Sequence, residues 1–288
     1  MNQKVLLNSL CWLTRNFQDF RGRWRLIDWL QGRVPLIRKV VQAGPIHVGR
    51  GYHIWADPCD LDGLRYFIHG INPREPISKL FSAIIHRGDL IMDIGANVGY
   101  FSILGSRLTG PKGTVHAFEA SPTTARHLKI AERNPVGNIK IHPVAVSDHC
   151  GQVEFSLGPA DHSGVSSIRP LGSKESIRVE VPCVAIDDYF ADLERVKLIK
   201  IDVEGAEMMA LRGMKKLLNR KHPYVILEMT DKFLRDLGSS PEELIEFMAD
   251  AGYTAHPVAN PSHSLSLPIV DQIDVLFIPP GHKTPSIA

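Results

Sequence analysis

Leu90-Ile91-Met92-Asp93-Ile94 is a short apolar run that leads without a break into Gly95-Ala96-Asn97-Val98-Gly99 and then a helical stretch from Tyr100 to Leu108. Strand, glycine turn and helix in that order form the opening unit of a doubly wound parallel sheet. At Gly95 the backbone must turn tightly and approach a ligand, and at Gly99 the helix must pack close. Glycine turns of this kind are common, so the second unit is needed to give the first a direction. Thr114–Phe118 reads as the next strand and ends at Glu119, 20 residues beyond Gly99. A carboxylate at that place accepts hydrogen bonds from both ribose hydroxyls of an adenine cofactor. Ser121-Pro122 opens the following helix with an N-cap and a proline at its first position. A third strand, Ile139 to Val146, ends at Ser147-Asp148, where polar groups would meet the adenine edge.

A dinucleotide site is the first alternative. Its fingerprint requires G-x-G-x-x-G so that the backbone can crowd a pyrophosphate. Here Asn97 stands at the second glycine and Asp93 closes the preceding strand. An anion at that turn repels a pyrophosphate but suits a cofactor carrying an ammonium and a sulfonium. The residues therefore favour methyl transfer over hydride transfer.

Beyond Asp148 the expected crossover helix is missing. Gln152–Leu157 and Ile177–Val181 alternate like strands around a Gly/Ser-rich loop from Gly158 to Ser176, which reads as a hairpin inserted beside the mouth of the site. Ile186–Phe190 starts a short helix. Val196–Ile201 is a strand that runs into Asp202-Val203-Glu204-Gly205-Ala206-Glu207 and another helix, and Tyr224–Leu227 ends at Glu228. Tyr253–Val258 and Asp274–Ile278 would pair antiparallel at the sheet edge.

Four blocks occur in order: Asp93-Ile94-Gly95-Ala96-Asn97-Val98-Gly99-Tyr100, Phe118-Glu119, Ala145-Val146-Ser147-Asp148 and Lys200-Ile201-Asp202-Val203-Glu204-Gly205-Ala206-Glu207. Together they resemble the FkbM-type methyltransferases, a class I family dependent on S-adenosylmethionine. The resemblance spans roughly Asp57 to Ile278 and takes in Asp57-Pro58 and Pro73-Arg74-Glu75-Pro76. One departure is Ala120-Ser121-Pro122 where such proteins often carry Glu-Pro; the acid itself is kept. The resemblance implies a Rossmann-like, seven-stranded class I methyltransferase sheet. It also implies a hydroxyl acceptor on a sugar, a polyketide-like scaffold or a related small molecule or glycan.

The expected cofactor residues are Asp93, Gly95, Ala96, Asn97, Gly99, Tyr100, Phe101, Glu119, Ala120, Ser147, Asp148 and Asp202. Ligands of open α/β sheets lie beyond the carboxyl ends of the strands, and Asp202 sits at such an end. Asp202 with Glu204 is the candidate catalytic pair, taking the acceptor's proton or orienting it. The other reading has Asp202 holding the cofactor's amino acid while Glu204-Gly205 caps a helix. A divalent cation between Asp202 and Glu228 is a further candidate, although no metal ligand is assigned. The thirteen histidines hold no H-x-x-x-H helix motif and no tight cluster with cysteine. His116 and His142 read as packed strand residues, and His53, His162 and His263 as loop residues near a substrate mouth.

The first 50 residues carry nine basic side chains against Asp19 and Asp28, a net +7 on a chain whose total is +2. Leu6, Leu10, Leu13, Phe17, Phe20, Trp24 and Ile27 recur at helical spacing with Gly22 as a weak point. This basic amphipathic helix would pack on the body or a second subunit, lie on an anionic membrane with Trp12, Trp24 and Trp29, or reach nucleic acid. A total of +2 does not by itself imply nucleic acid, and no nucleic-acid partner is expected. Cys11, Cys59, Cys150 and Cys183 form no C-x-x-C pair, and neither a signal peptide nor a spanning apolar run is legible. The expected location is cytoplasmic, at most peripheral to a membrane. The organisation reads as a helical extension over 1–45, lead-in strands and turns over 46–79, a catalytic domain over 80–280 and a tail over 281–288. A non-catalytic cofactor-binding scaffold stays open as a different class of function.

Overall fold

The computed structural model describes residues 3–17, 21–72, 75–159, 163–170, 177–193, 195–269 and 271–287. Phe20, Pro73, Arg74 and His162 lie outside the described residues. The chain opens with α1 (Gln3–Asn16), α2 (Arg23–Gln31) and α3 (Val34–Val40), a hairpin of β1 (Gly44–His47) and β2 (His53–Ala56), then α4 (Leu61–His69) and α5 (Pro76–Ile84). Next come β3 (Leu90–Ile94), α6 (Tyr100–Thr109), β4 (Thr114–Phe118), α7 (Pro122–Glu132) and β5 (Ile139–His142). They are followed by β6 (Ala145–Val146), β7 (Gly151–Leu157), β8 (Ile177–Val184) and α8 (Ile186–Tyr189). The second half runs β9 (Val196–Ile201), α9 (Glu207–Arg212), α10 (Lys215–Lys221), β10 (Tyr224–Thr230), α11 (Asp231–Asp236), α12 (Pro241–Asp250), β11 (Thr254–Pro257) and β12 (Gln272–Ile278).

The main sheet has seven strands in the order β11-β12-β10-β9-β3-β4-β5. β5, β4, β3, β9 and β10 run parallel, while β12 is antiparallel to both β10 and β11. This is the class I methyltransferase topology that the motifs imply. β3 is a nearly continuous apolar run because helices cover both faces of the sheet. Along β3 and β9 alternate side chains enter opposite cores: Ile91 and Leu198 face α5–α7 and the N-terminal helices, and Met92 and Ile199 face α9–α12. From β3 the chain winds outward through β4 and β5, then returns to β9 and winds the other way. The carboxyl ends of β3 and β9 therefore flank the crevice where such sheets bind ligands.

Three expectations need correction. The expected strand Ile139–Val146 is broken after His142, where Val144 N–H donates to the His142 carbonyl across Pro143 in a tight turn. Proline cannot extend a ladder, so Ala145-Val146 leaves the main sheet and pairs with Cys183-Val184 of the inserted hairpin. The lead-in over 46–79, expected as strands and turns, is partly helical: Tyr66-Phe67-Ile68 lies in α4, whose start is capped by the Asp60 carboxylate accepting from Gly63 N–H at 2.9 Å. The N-terminal stripe is not one helix: Gly22 adopts φ +94° between α1 and α2. The buried face is also rotated, carrying Leu7, Cys11, Thr14 and Arg15, while Phe17 and Trp24 are exposed. The reason is polar. Arg15 donates to the carbonyls of His47 and Phe67, Thr14 Oγ to Ile68, and Arg23 to Thr14 and His69. Three of those acceptors are last-turn carbonyls of α4, which lack helical partners of their own.

Candidate functional site

A cavity of about 480 Å³ opens at the crevice between β3 and β9. Gly95 forms part of its wall at φ +79°, and a Cβ there would overlap the carbonyl oxygen of Asp202. The turn is locked to the neighbouring strands: Gly95 and Ala96 N–H donate to the Phe118 carbonyl, and Asp202 N–H donates to that of Ile94. Only glycine lets these two strand ends come so close. Gly99, at φ +96°, serves packing, although against α7 rather than a strand: a Cβ would crowd Leu128 and Ala131.

At the β4 side the cavity is walled by Phe118, Glu119, Ala120, Thr124 and Val144–Val146. The buried Glu119 carboxylate accepts from Asn97 N–H at 2.9 Å and Ser121 N–H at 2.8 Å. Burial pushes its carboxyl up to about 7, against the pull of those two donors. The carboxylate thus rigidly joins the glycine turn to the start of α7 and faces the cavity.

At the β10 and β12 side the wall changes character, presenting Arg65, Tyr66, Glu75, Glu228, Gln272 and Asp274. Asp202 stands between the two ends, in salt bridge with the Lys200 ammonium at 2.8 Å. Lys200 is 4% exposed, flanks Asp93 across the β3–β9 pairing and lies 4.8 Å from the Phe101 ring centre. Burial alone would lower its pKa; the carboxylates of Asp202, Asp93 and Glu228 outweigh that and raise it. Burial, reinforced by Asp202, pushes Glu204 up to about 8 and Glu228 up to about 9. Asp274 rises to about 6, again mainly through burial. Carboxyl oxygens of Asp202, Glu204 and Glu228 come within 4.8 Å of one another, a spacing at which a cation could be shared.

Glu204 does not cap a helix. It is a non-glycine residue at φ +55°, in a turn whose N–H groups at Val203 and Gly205 donate to the Glu207 carboxylate. Burial pushes Glu207 up to about 7. The inserted hairpin loop reaches this turn: Ser167 Oγ donates to the carbonyl of Glu204 at 2.9 Å, and Gly164, Val165, Ser166 and Ile168 wall the cavity. The hairpin is therefore beside the site, as expected.

Of the residues expected from sequence, Gly95, Ala96, Asn97, Tyr100, Phe101, Glu119, Ala120, Asp202 and Glu204 line the cavity. Asp93, Gly99, Ser147 and Asp148 do not. Asp93 is 1% exposed behind the wall, with Oδ2 accepting from Ser102 at 2.6 Å and Oδ1 unpartnered. Burial raises its pKa, opposed by Lys200 and Ser102. Ser147 is fully buried beneath Gly213, and Asp148 points to a separate surface hollow, because the Pro143 turn advances Val144–Val146 into the wall instead. His116 and His142 are packed as expected, joined ring to ring at 2.8 Å; His53 and His263 lie away from the cavity. Sequence reasoning assigned no role to Lys200, Asp274, Glu75, Arg65 or Tyr66. The available signal was Lys200, a second lysine in the strand Val196–Ile201, placed two residues before Asp202.

A methyl donor with an adenosine, a sulfonium and an amino-acid arm fits this chemistry: a cavity of ordinary ligand size, an acid at the ribose position and carboxylates around the centre. The methyltransferase FkbM domain model matches residues 93–255. The chain is 22% identical over 186 residues to a hexuronic acid methyltransferase of Haloferax volcanii, covering 64% of this chain and 71% of that protein. It is 28% identical over 192 residues to a 2-O-methyltransferase of Sinorhizobium fredii, covering 59% and 77%. It is 26% identical over 232 residues to the 31-O-demethyl-FK506 methyltransferase FkbM of Streptomyces tacrolimicus, covering 70% and 79%. The matched segment is more than half of the chain and contains the glycine turn, Glu119 and the Asp202 turn. The chain belongs to the FkbM methyltransferase domain family and is an S-adenosylmethionine-dependent methyltransferase.

Proposed function

We propose that the enzyme methylates a hydroxyl of a sugar or polyketide-like small molecule or glycan. The observation that carries this reading is the cavity at the β3–β9 crevice, backbone-built at the glycine turn and carboxylate-lined at the far end. Bound S-adenosylmethionine supplies an electrophilic methyl group on a sulfonium. Glu119 would hold its ribose, Phe118 with Val144–Val146 would flank its adenine, and the Gly95–Asn97 turn would face its amino-acid arm. On the chain's side, Arg65, Glu75, Gln272 and Asp274 offer the mixed donors and acceptors that a polyol needs, with Tyr66 as an apolar floor. Holding an acceptor oxygen in line with the methyl can supply about 7–11 kcal/mol of the acceleration. Asp202 orients the acceptor hydroxyl and receives its proton, with Lys200 beside it to steady the carboxylate. Glu204 and Glu228, whose raised pKa values favour the neutral acid, act as hydrogen-bond donors near neutral pH. Lys200 supplies positive charge within the cluster, so no metal is assigned to the reaction.

The test is calorimetric titration of the purified protein with S-adenosylmethionine and with NAD, with Glu119→Ala as control, followed by isotope-labelled methyl transfer to a panel of hydroxylated sugars and macrolides. Methyl incorporation into a hydroxyl that fails in Asp202→Asn supports the reading. Donor binding without turnover on any acceptor would favour the scaffold alternative. The other partner readings, a homo-oligomer or a membrane surface, attach to the N-terminal helices; among the described residues no helix is long and apolar enough to cross a membrane.

A further inference from the structure

Among the described residues, five of the nine large hydrophobic side chains that stand exposed belong to the first 30: Val5, Trp12, Phe17, Trp24 and Trp29, each between 37% and 52% exposed. The apolar face that holds α1 and α2 to the body is Leu7, Cys11, Ile27 and Leu30, all at most 2% exposed. Three of the chain's four tryptophans are thus left at the surface of one segment. That segment carries five basic side chains against Asp19 and Asp28, a net +3, and residues 31–50 add four more basic side chains and no acid. Arg21, Arg25 and Lys39 are exposed, and among the described residues they make no ion pair or side-chain hydrogen bond. Arg33 stacks its guanidinium 3.6 Å from the centre of the Trp29 ring. Tryptophan and arginine interleaved on short surface helices are the composition of an interfacial membrane anchor, where the indole sits at headgroup depth and the cations meet lipid phosphates.

We propose that the outer face of α1 and α2 docks the enzyme on an anionic lipid bilayer. A second copy of the chain is the poorer occupant, because two net-positive segments would face each other. Nucleic acid is poorer too, because the basic groups alternate with bulky apolar ones instead of forming a continuous stripe. The docking layer lies one helix from the cavity: α4 is tied to it through the carbonyls of Phe67, Ile68 and His69, and its opposite face contributes Asp62, Arg65 and Tyr66 to the cavity wall. The inference is independent of which acceptor the site takes, and its readout does not depend on turnover.

The test is flotation of the full chain with vesicles of phosphatidylcholine alone and of phosphatidylcholine with phosphatidylglycerol, at low and high salt, beside light scattering for mass and a duplex RNA shift assay. Binding to the anionic vesicles only, weakened at high salt, is expected. Trp12→Ser/Trp24→Ser should reduce partitioning at least tenfold, and Arg21→Glu/Arg25→Glu by a similar factor, at about fivefold per basic residue removed. Both double variants should keep wild-type affinity for S-adenosylmethionine, which shows that they fold. The proposal is overturned if vesicles of either composition bind equally or not at all. It is overturned equally by a dimer that the tryptophan variant dissolves, or by tight RNA binding in place of vesicle binding.

Discussion

The two ends of the cavity are built from different materials. The β4 end is made largely of backbone: glycines and Asn97 at positive φ, amide donors aimed at Glu119, and strand ends locked by main-chain hydrogen bonds. The β10 and β12 end is made of side chains, with Glu228 and Asp274 paired across two antiparallel strands and Lys200 buried beside Asp202. A backbone-built end is rigid and tolerates one ligand shape. A side-chain end can be recut by substitution without disturbing the sheet, which suits a family whose relatives act on different acceptors.

Substitutions rank that contrast. The largest loss is expected for Asp202→Asn, where the lost proton acceptor should lower turnover about 10²–10⁴-fold while donor affinity stays within threefold or so. An equal loss of donor affinity would move Asp202 to the cofactor's side of the comparison. Gly95→Ala forces a Cβ onto the Asp202 carbonyl at φ +79°. It should destabilise the fold by roughly 2–4 kcal/mol, read as a lowered midpoint in urea. Glu119→Ala, which removes a charged acceptor but leaves the turn, should weaken S-adenosylmethionine by about 1.5–3 kcal/mol with little change in acceptor KM.

A smaller effect separates the ends by pH. Glu228, at about 9 in the fold, is raised above its ordinary 4.5. Its contribution to stability is therefore complete below pH 4.5 and is lost as pH rises toward 9. Glu228→Gln keeps the neutral form at every pH, so its melting temperature relative to wild type should climb between pH 5 and pH 9. The gain should reach roughly 1–2 kcal/mol, or about 4 °C. A flat difference would show that Glu228 is ionised in the folded protein. The smallest effect is expected from chelation: with Lys200 inside the carboxylate cluster, activity after exhaustive EDTA treatment should match the untreated enzyme. Loss restored by a divalent cation would instead assign Asp202, Glu204 and Glu228 as its ligands.

Much of the backbone-built end was legible beforehand. Gly95 and the acid 20 residues past Gly99 can be read because a tight turn and a strand-end acid obey local rules of spacing. The legible part failed where a neighbour at long range decided. Ser147-Asp148 was expected at the adenine edge, yet the Pro143 turn hands Ala145-Val146 to the inserted hairpin and puts Val144–Val146 in the wall. The N-terminal stripe failed in the same way, because Arg15 and Arg23 turn inward to satisfy the carbonyls ending α4.

The strand periods, the glycine turn and the motif order were enough to establish a doubly wound sheet, a methyl-donor site and the placement of Asp202 at a strand end, because each depends on residues close together in the chain. The partners of Asp202 were decided only by the tertiary structure. Lys200 reaches it from the same strand, whereas Glu228 and Asp274 arrive on strands whose order no local pattern encodes, and Arg65 and Tyr66 on a helix from the lead-in. Burial is what gives those groups their chemistry, and burial is a property of the packed whole rather than of any segment.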